Sequence, residues 1–235
     1  MKSTLIIGGS GTLGIALIKK LEIKNLDFTY NNNKIDKGIK FDAYSMNIED
    51  IISDSSTYKN CIILLADKNP NSCFKNKEKS EFLNVKIQIK ILKLLKLYNI
   101  KPIFLSTDVI FSGIKGDYIE TDIPDPILFY GKQKTEVENY IINNFSDYLI
   151  FRLSKTFDIL KEKNGEAFLS WLNFFKQNEK IFCATDQIYN PIYINDAADI
   201  IIQLLLNKNS GIFNLAGPTK YSRYNIFNLI KNEVL

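Results

Sequence analysis

The feature that most constrains the fold is a glycine-rich turn between a predicted strand and a predicted helix. The apolar run Thr4–Ile7 predicts a strand, residues 8–11 (GGSG) stop it, and residues 12–21 then show amphipathic helical spacing. In this Gly-x-x-Gly-x-x-Gly pattern, Gly8 permits a tight turn, Gly11 leaves room for a pyrophosphate, and Gly14 lets helix and strand pack closely. The pattern therefore predicts a dinucleotide-binding unit at the start of the chain.

Strands and helices continue to alternate after this unit. Further strands are predicted at residues 27–30, 61–66, 103–106 and 148–153, and further helices at residues 82–98 and 132–143. Such alternation predicts an α/β fold with a Rossmann-type doubly wound parallel sheet. Because the pattern after about residue 154 is less regular, we predict a Rossmann domain over residues 1–154. A small, shortened C-terminal substrate lobe, interleaved with the sheet, is predicted over residues 155–235.

The charge pattern limits the partners that the chain can bind. Its 30 basic and 26 acidic residues give a net charge of only +4, and the basic residues are mostly scattered lysines. A nucleic-acid groove normally shows clustered arginine and lysine, so we expect no nucleic acid partner. No apolar run reaches the ~18 residues that span a bilayer, and the short N-terminal run meets glycines. We therefore expect no membrane segment and no signal peptide.

The residue types also limit the chemistry. The sequence contains no histidine, which excludes a Ser-His-Asp triad, His-ligated zinc and histidine acid/base catalysis. The three cysteines, Cys61, Cys73 and Cys183, are dispersed and form no CxxC motif, which is typical of reduced thiols in a cytoplasmic protein. We therefore expect a cytoplasmic protein without a metal site, whose chemistry falls to tyrosine, lysine, carboxyl or cysteine side chains.

The glycine spacing differs from G-x-G-x-x-G and resembles the short-chain dehydrogenases/reductases of the extended type, which implies a nicotinamide dinucleotide. An acidic residue at the end of the second strand would hold the ribose 2′-hydroxyl and repel a 2′-phosphate. That position falls near Asn31, with Lys34 close behind and the next carboxylate at Asp36. Because an amide and a lysine accommodate a phosphate, NADP is favoured, while NAD stays possible.

The other predicted cofactor contacts lie at strand ends. If the resemblance holds, Asn47 and Ile48 flank the adenine, and Leu65 and Ala66 lie where the cofactor rests against the sheet. The full predicted set of cofactor-binding residues is Gly8, Ser10, Gly11, Thr12, Leu13, Gly14, Asn31, Asn47, Ile48, Leu65, Ala66, Tyr130 and Lys134.

Three dispersed residues form the candidate catalytic group. Tyr130 and Lys134 lie four positions apart at the start of a predicted helix, so both can face one cleft. A free phenol has a pKa near 10, and a nearby ammonium would lower the pKa of Tyr130 and make it a proton donor or acceptor closer to neutrality. Thr107 ends a predicted strand, which places its hydroxyl at the carboxyl edge where ligands bind.

Several segments, in order along nearly the whole chain, resemble the dTDP-4-dehydrorhamnose reductase family. They are residues 105–113 (LSTDVIFSG), 118–122 (YIETD), 126–136 (PILFYGKQKTE), 151–154 (FRLS), 186–187 (DQ), 191–196 (PIYIND), 216–217 (AG) and 222–224 (SRY). The resemblance implies a nucleotide-sugar substrate and a role in dTDP-rhamnose and polysaccharide biosynthesis. It also implies that Thr107, Tyr130 and Lys134 are catalytic.

The implied reaction is NAD(P)H-dependent reduction of a nucleoside-diphosphate 4-keto-6-deoxy sugar. Hydride would reach C4, Tyr130 would protonate the oxygen, Thr107 would donate a hydrogen bond to it, and Lys134 would hold the nicotinamide ribose. Extended-type 4,6-dehydratases carry Asp-Glu after the threonine, whereas here Val109 follows Asp108, which argues against a dehydratase.

Two alternatives stay open. Epimerases that oxidise C4 transiently need only the same three groups; those that act at C3 and C5 need a further acid/base pair. Cys73 and Cys183 are the thiols plausibly placed for such a pair, but we expect both to pack in apolar surroundings. The regulatory subunit of methionine adenosyltransferase also resembles the reductases, so a non-catalytic NADP-binding subunit is the other alternative.

The C-terminal segment carries the predicted substrate contacts. Arg223 is a natural diphosphate clamp, and Gln187, with Asp186 and Asn190 as weaker choices, is predicted to line the sugar site beside Thr107. Family members generally continue beyond the position where this sequence stops. From this we expect a trimmed lobe, a homodimer or partner that completes it, or a truncated gene product.

Overall fold

A central sheet organises the structure, a computed structural model that describes residues 4–21, 25–53, 58–158 and 182–234. The strands are β1 (Thr4–Ile7), β2 (Leu26–Tyr30), β3 (Ile39–Lys40), β4 (Asn60–Ile63), β5 (Lys101–Thr107), β6 (Leu149–Leu153), β7 (Thr156–Phe157), β8 (Ile188–Tyr189), β9 (Ile192–Tyr193), β10 (Gly211–Leu215) and β11 (Tyr221–Ser222). Two small pairs, β7 with β9 and β8 with β11, lie outside the central sheet.

Helices connect the strands. They are α1 (Thr12–Lys20), α2 (Pro70–Lys75), α3 (Lys77–Glu81), α4 (Ile87–Leu97), α5 (Phe129–Asn144), α6 (Ile194–Leu206) and α7 (Arg223–Val234). A π-helical turn, Phe82–Lys86, joins α3 to α4, and 3₁₀ turns cover Ile48–Asp50 and Asp108–Ile110. No helix in the described ranges has the length and apolar character needed to cross a membrane.

The seven-stranded sheet has the order β10-β6-β5-β4-β1-β2-β3, and all neighbouring strands run parallel. The chain builds outward from β1 to β3 on one side, then crosses to β4 and builds outward on the other. This doubly wound order confirms the predicted Rossmann-type fold. The carboxyl ends of β1 and β4 flank the point where the order reverses, which is where ligands bind in such sheets.

The core fills both faces of the sheet because strand side chains alternate between them. Leu5 and Ile7 of β1 point to the face covered by α4 and α5, and Ile6 points to the face covered by α1 and α6. Strands buried on both faces read as continuous apolar runs, which is why β1, β4 and β6 were recognisable in the sequence. Cys61 lies inside this core, and burial raises the pKa of its thiol.

Two predicted elements differ from the structure. Strand β4 ends at Ile63, so residues 64–66, which were predicted as strand, form a loop. Leu64 N still donates to Ile7 O at 2.9 Å, and the loop then passes close to Gly8. The helix predicted at residues 82–98 begins with the π-helical turn, a feature that apolar spacing does not reveal.

The segment after residue 154 contributes to the central sheet. Strand β10 pairs in parallel with β6, and α6 packs against α1, where Lys20 Nζ lies 2.6 Å from Asp199 Oδ1. Residues of the predicted lobe region are therefore interleaved with the Rossmann sheet.

Candidate active site

The glycine loop follows β1 at the reversal point of the sheet. Gly8 has φ +87°, a backbone conformation that strongly favours glycine, and an added Cβ there would lie 2.9 Å from Leu65 N. At Gly14, an added Cβ would lie 2.4 Å from Gly9 O. The fold itself therefore requires glycine at both positions.

Gly11 differs from its neighbours, because the fold does not require a glycine there. An added Cβ would meet no atom closer than Gly8 O at 3.8 Å, and Gly11 is exposed. No side chain of the described residues caps α1 at this position. The first intrahelical hydrogen bond runs from Ile15 N to Gly11 O, so the amides of Thr12 and Leu13 precede it. This open helix N-terminus fits a dinucleotide diphosphate.

The end of β2 carries an amide and an unforeseen lysine. Lys40 Nζ donates to Asn31 O at 2.5 Å and to Asn31 Oδ1 at 2.9 Å. The register of β2 and β3 pairs Tyr30 with Lys40, which brings this ammonium to the strand end. The sequence prediction named Lys34, which is exposed nearby, and missed Lys40 because the pairing of β3 is not visible in the local pattern.

The two predicted adenine contacts, Asn47 and Ile48, differ in their exposure. Asn47 is exposed at the start of the 3₁₀ turn, but Ile48 is buried in the core, so only its backbone is available to a ligand. Leu65 and Ala66 lie in the loop after β4, half-buried, and Leu65 O accepts a hydrogen bond from Gln88 Nε2 at 2.7 Å.

Thr107 ends β5 as predicted, and it also begins a 3₁₀ turn. Its Oγ1 accepts from Val109 N at 3.3 Å and donates to Asp108 Oδ1 at 3.2 Å. Gly131 of α5 packs directly on this turn, since an added Cβ would lie 2.3 Å from Val109 O. The start of α5, which carries Tyr130, therefore lies against the strand end that carries Thr107.

Tyr130 and Lys134 are both buried on the inner face of α5. Lys134 Nζ donates to Leu105 O at 2.7 Å and lies 5.9 Å from the centre of the Tyr130 ring. It also lies 4.4 Å from the centre of the Phe104 ring. The structure therefore brings the tyrosine and the lysine together at the carboxyl edge of β5.

The electrostatics of this pair differ from the prediction. Burial raises the pKa of Tyr130, and the negative forms of Cys73, Asp108 and Asp67 raise it further. Burial lowers the pKa of Lys134 to about 7, against the opposing effect of Glu138. The predicted lowering of the Tyr130 pKa by Lys134 is therefore not observed. The physical reason is that burial outweighs the nearby amine, which is hydrogen-bonded to Leu105 O.

A buried polar network links α5 to the loop after β4, and the sequence prediction missed it. Asn84 Nδ2 donates to Gln133 Oε1 and to Asp67 O, each at 2.9 Å, and Asn84 Oδ1 accepts from Asp67 N at 2.8 Å. Gln133 Nε2 donates to Ser80 Oγ at 2.9 Å. The available signal was a pair of amides, at positions 84 and 88, inside an otherwise apolar helical stripe.

The two candidate thiols occupy different environments. Cys73 is buried, but its Sγ donates to Asp67 O at 3.3 Å and accepts from Asn84 Nδ2 at 3.5 Å, so its surroundings are polar rather than apolar. Burial raises the pKa of the Cys73 thiol. Cys183 is half-buried beside the predicted substrate segment.

Two of the predicted substrate residues, Gln187 and Arg223, lie together at the start of α7, whereas Thr107 lies at the end of β5. Arg223 N donates to Gln187 O at 3.0 Å, and Arg223 Nε is a buried donor without a hydrogen-bond partner among the described residues. The side chains of Asp186 and Gln187 are exposed, while Asn190 Nδ2 donates to Gly217 O at 3.4 Å.

Tyr189, which was not predicted, connects this group with the strand end. Burial raises the pKa of Tyr189, Arg223 opposes that rise, and Asp108 adds to it. The tyrosine therefore lies within electrostatic reach of both the Arg223 group and the Thr107 turn.

The site has the features of a short-chain dehydrogenase/reductase. They are a glycine loop that leads into the uncapped helix α1 at the reversal point, a threonine at a strand end, and a helix that carries Tyr-x-x-x-Lys. The family model described as RmlD substrate binding domain matches residues 1–234. The chain belongs to this family.

Curated relatives of two kinds are similar to the chain. A dTDP-4-dehydrorhamnose reductase from Aggregatibacter actinomycetemcomitans is 28% identical over 211 residues, which are 87% of this chain and 67% of the relative. Methionine adenosyltransferase 2 subunit beta from Xenopus tropicalis is 22% identical over 236 residues, which are 95% of this chain and 69% of that protein.

Solved structures share the fold. A hypothetical dTDP-4-dehydrorhamnose reductase from Sulfolobus tokodaii aligns with a TM-score of 0.87 and 31% identity, over 99% of this chain and 82% of that one. A dTDP-4-dehydrorhamnose reductase from Bacillus anthracis in complex with NADP aligns with a TM-score of 0.79 and 22% identity, over 99% of this chain and 81% of that one.

Proposed function

We propose that the protein is an NAD(P)H-dependent reductase of a nucleoside-diphosphate 4-keto-6-deoxy sugar, of the dTDP-4-dehydrorhamnose reductase type. The observation that carries the proposal is that Tyr130 and Lys134 lie together beside β5, on the helix that packs against the turn begun by Thr107. The reductase relatives from Aggregatibacter and Sulfolobus support the same substrate class.

The chain's own residues hold the cofactor in this proposal. The N-terminus of α1 receives the diphosphate through the amides of Thr12 and Leu13. When bound, the nicotinamide dinucleotide supplies the hydride for the keto carbon. The Lys134 ammonium donates one hydrogen bond to Leu105 O, and its remaining N–H groups can donate to a ribose hydroxyl.

Tyr130 is the proton donor in the proposed reduction. Because burial raises the pKa of Tyr130, the phenol keeps its proton at neutral pH, as a general acid must. Lys134 Nζ, 5.9 Å from the ring centre, lies where it can stabilise the phenolate that forms.

The proposal takes NADP as the preferred cofactor and leaves NAD as the second choice. Lys40 and the Asn31 amide lie at the end of β2, where a ribose 2′-phosphate would lie. The relative from Bacillus anthracis was solved with NADP.

Three wider expectations belong to the same proposal. They are a Rossmann domain of residues 1–154 with a substrate lobe of residues 155–235, a cytoplasmic location, and a homodimer or partner beside the lobe. The three cysteines, all free, support a reducing compartment.

A screen of substrates tests the proposal. The protein is mixed with NADPH and a panel of nucleotide-linked 4-keto sugars, and the loss of NADPH absorbance is followed. We expect turnover on one of them, reduced about 10²- to 10⁴-fold in Tyr130→Phe. NADPH binding without turnover on any sugar would favour the non-catalytic subunit, which the 22% identity to methionine adenosyltransferase 2 subunit beta keeps as the second candidate.

A further inference from the structure

The hydroxyl of Thr107 has a single hydrogen, and the Asp108 carboxyl group lies within hydrogen-bond distance of its oxygen. Oγ1 donates to Asp108 Oδ1 at 3.2 Å and accepts from Val109 N at 3.3 Å. A hydroxyl that gives its hydrogen to a carboxylate has none left for a ligand carbonyl. With Asp108 ionised, Thr107 therefore cannot donate the hydrogen bond that the proposed reduction requires.

Asp108 is held by hydroxyls rather than by a cation. Besides Thr107, the Ser154 side chain hydrogen-bonds to this carboxyl group, and the backbone of the 3₁₀ turn contributes further bonds. The described residues supply no lysine or arginine among the groups that shift its pKa, and burial raises that pKa. Burial without an ion-pair partner favours the neutral acid.

Among the residues that the structure describes, two tyrosines have pKa values that Asp108 raises. Tyr130 on α5 lies within electrostatic reach of Asp108, and so does Tyr189 on β8. Arg223 acts on Tyr189 rather than on Asp108, and Asp67 and Cys73 act on Tyr130 from the loop after β4 and from α2.

We propose that Asp108 is a positioning residue that sets the direction of the Thr107 hydroxyl. When Asp108 is ionised, it retains the Thr107 hydrogen. When Asp108 is protonated, its own O–H donates to Thr107 Oγ1, and the Thr107 hydrogen turns to the carbonyl oxygen of the substrate. No proton leaves Asp108 in the reaction, because Tyr130 supplies it. This inference rests on the proposed function.

A double-mutant cycle tests the coupling between the two residues. Asp108→Asn keeps the shape and offers an N–H donor to Thr107 Oγ1, so it mimics the protonated acid. We expect Asp108→Asn to remove the decline of kcat with rising pH that ionisation of Asp108 causes. In a Thr107→Val background the same change should alter kcat less than about twofold, and in a Thr107→Ser background the effect should return.

A matched control uses Asp125→Asn, which changes an exposed carboxylate. Asp125 Oδ1 accepts a hydrogen bond from Ser112 N at 2.7 Å. It should leave the pH profile unchanged. NADPH binding, measured by fluorescence in every variant, reports a folded site. An equal loss of kcat on Asp108→Asn with and without the Thr107 hydroxyl would overturn the proposal. If Asp108→Asn does not fold, the two Thr107 variants test the proposal alone. A decline of kcat with rising pH that persists in Thr107→Ser and disappears in Thr107→Val supports the proposal. A decline of kcat that is unchanged in Thr107→Val overturns it.

A readout without turnover separates this inference from the proposed function. Infrared difference spectra across pH report the carboxyl C=O stretch of Asp108, assigned by its loss in Asp108→Asn. We expect that band to shift in Thr107→Val. A shift in a protein that reduces no sugar means that the reductase proposal fails while the positioning role stands. An unshifted band overturns the positioning role even in an active enzyme.

Discussion

In the proposed function, the choice between NADP and NAD depends on Lys40, a lysine that comes from another strand. Asn31 follows β2 directly and could be predicted from the sequence, because a strand end in this motif faces the ribose. Lys40 could not, since its place beside Asn31 depends on the two-residue strand β3 and its register with β2. A strand of two residues is too short to show the alternation of apolar and polar residues that identifies a strand.

The first prediction concerns this lysine. Lys40→Ala should raise the KM for NADPH about tenfold, because one charge-assisted contact to the 2′-phosphate is lost, and should leave the KM for NADH nearly unchanged. Lys19→Ala, an exposed lysine of α1, serves as the control. Equal effects of Lys40→Ala on both cofactors would show that Lys40 does not read the phosphate.

The second prediction concerns the buried amine of Lys134. Its native pKa of about 7 lies below the ordinary lysine value near 10.4. Between these values the unfolded chain binds more protons than the native state, so Lys134 makes the free energy of unfolding rise with pH. Below about pH 7 both states are protonated, and burial of the charge is fully unfavourable.

Urea unfolding at several pH values measures this effect. The wild-type protein should gain stability relative to Lys134→Met as the pH rises from 7 to 10. Lys132→Met, an exposed position on the same helix, should show no such trend. A constant difference between wild type and Lys134→Met would mean that the native amine titrates normally.

At the scale of elements, the position of α5 depends on close contact with the 3₁₀ turn after β5. Gly131→Ala would place a Cβ 2.3 Å from Val109 O, so α5 or the turn must move. Overpacking costs about 1–3 kcal/mol, which exceeds the roughly 0.5–1 kcal/mol that alanine gains over glycine in a helix.

Gly131→Ala should therefore destabilise the protein and lower kcat by displacing Tyr130 from Thr107. Thermal unfolding and turnover of the same sample measure both effects, and Lys132→Ala controls for helix propensity. A variant of wild-type stability and kcat would contradict the close approach.

The same scale shows why part of the site was not predictable. The spacing of Tyr130 and Lys134 lies within one helix, so helical periodicity was sufficient to place them on one face. Asn84 and Gln133 lie 49 positions apart and meet only because the π-helical turn before α4 packs against α5. Their network, and the π-helical turn that carries Asn84, are products of tertiary structure.

In the whole molecule, local sequence patterns were sufficient to predict the doubly wound sheet. They were not sufficient to predict the strand at its edge, β10. Buried apolar strands alternating with helices predicted the doubly wound order, because parallel strands need crossover helices. The pattern after residue 154 did not show that β10 extends the sheet beside β6. Strand β10 is only partly buried over most of its length, so it lacks the continuous apolar run that identifies the inner strands.

A buried ion pair joins α5 to strand β6 of the central sheet. Arg152 of β6 lies 2.9 Å from Glu138 of α5 and also donates to Glu120 O at 2.9 Å. Both side chains are almost fully buried, so their placement depends on each other. Helix α5 is thereby held against β6, the strand that pairs with both β5 and β10.

The transfer of deuterium from NADPH that carries deuterium at both hydrogen positions of nicotinamide C4 tests the central claim most directly. With the nucleotide-linked 4-keto sugar identified by the screen, we predict that mass spectrometry and NMR find one deuterium at C4 of the product. Tyr130→Phe should bind NADPH normally and form this product far more slowly. A product without deuterium at C4, or undiminished transfer in Tyr130→Phe, would contradict the account.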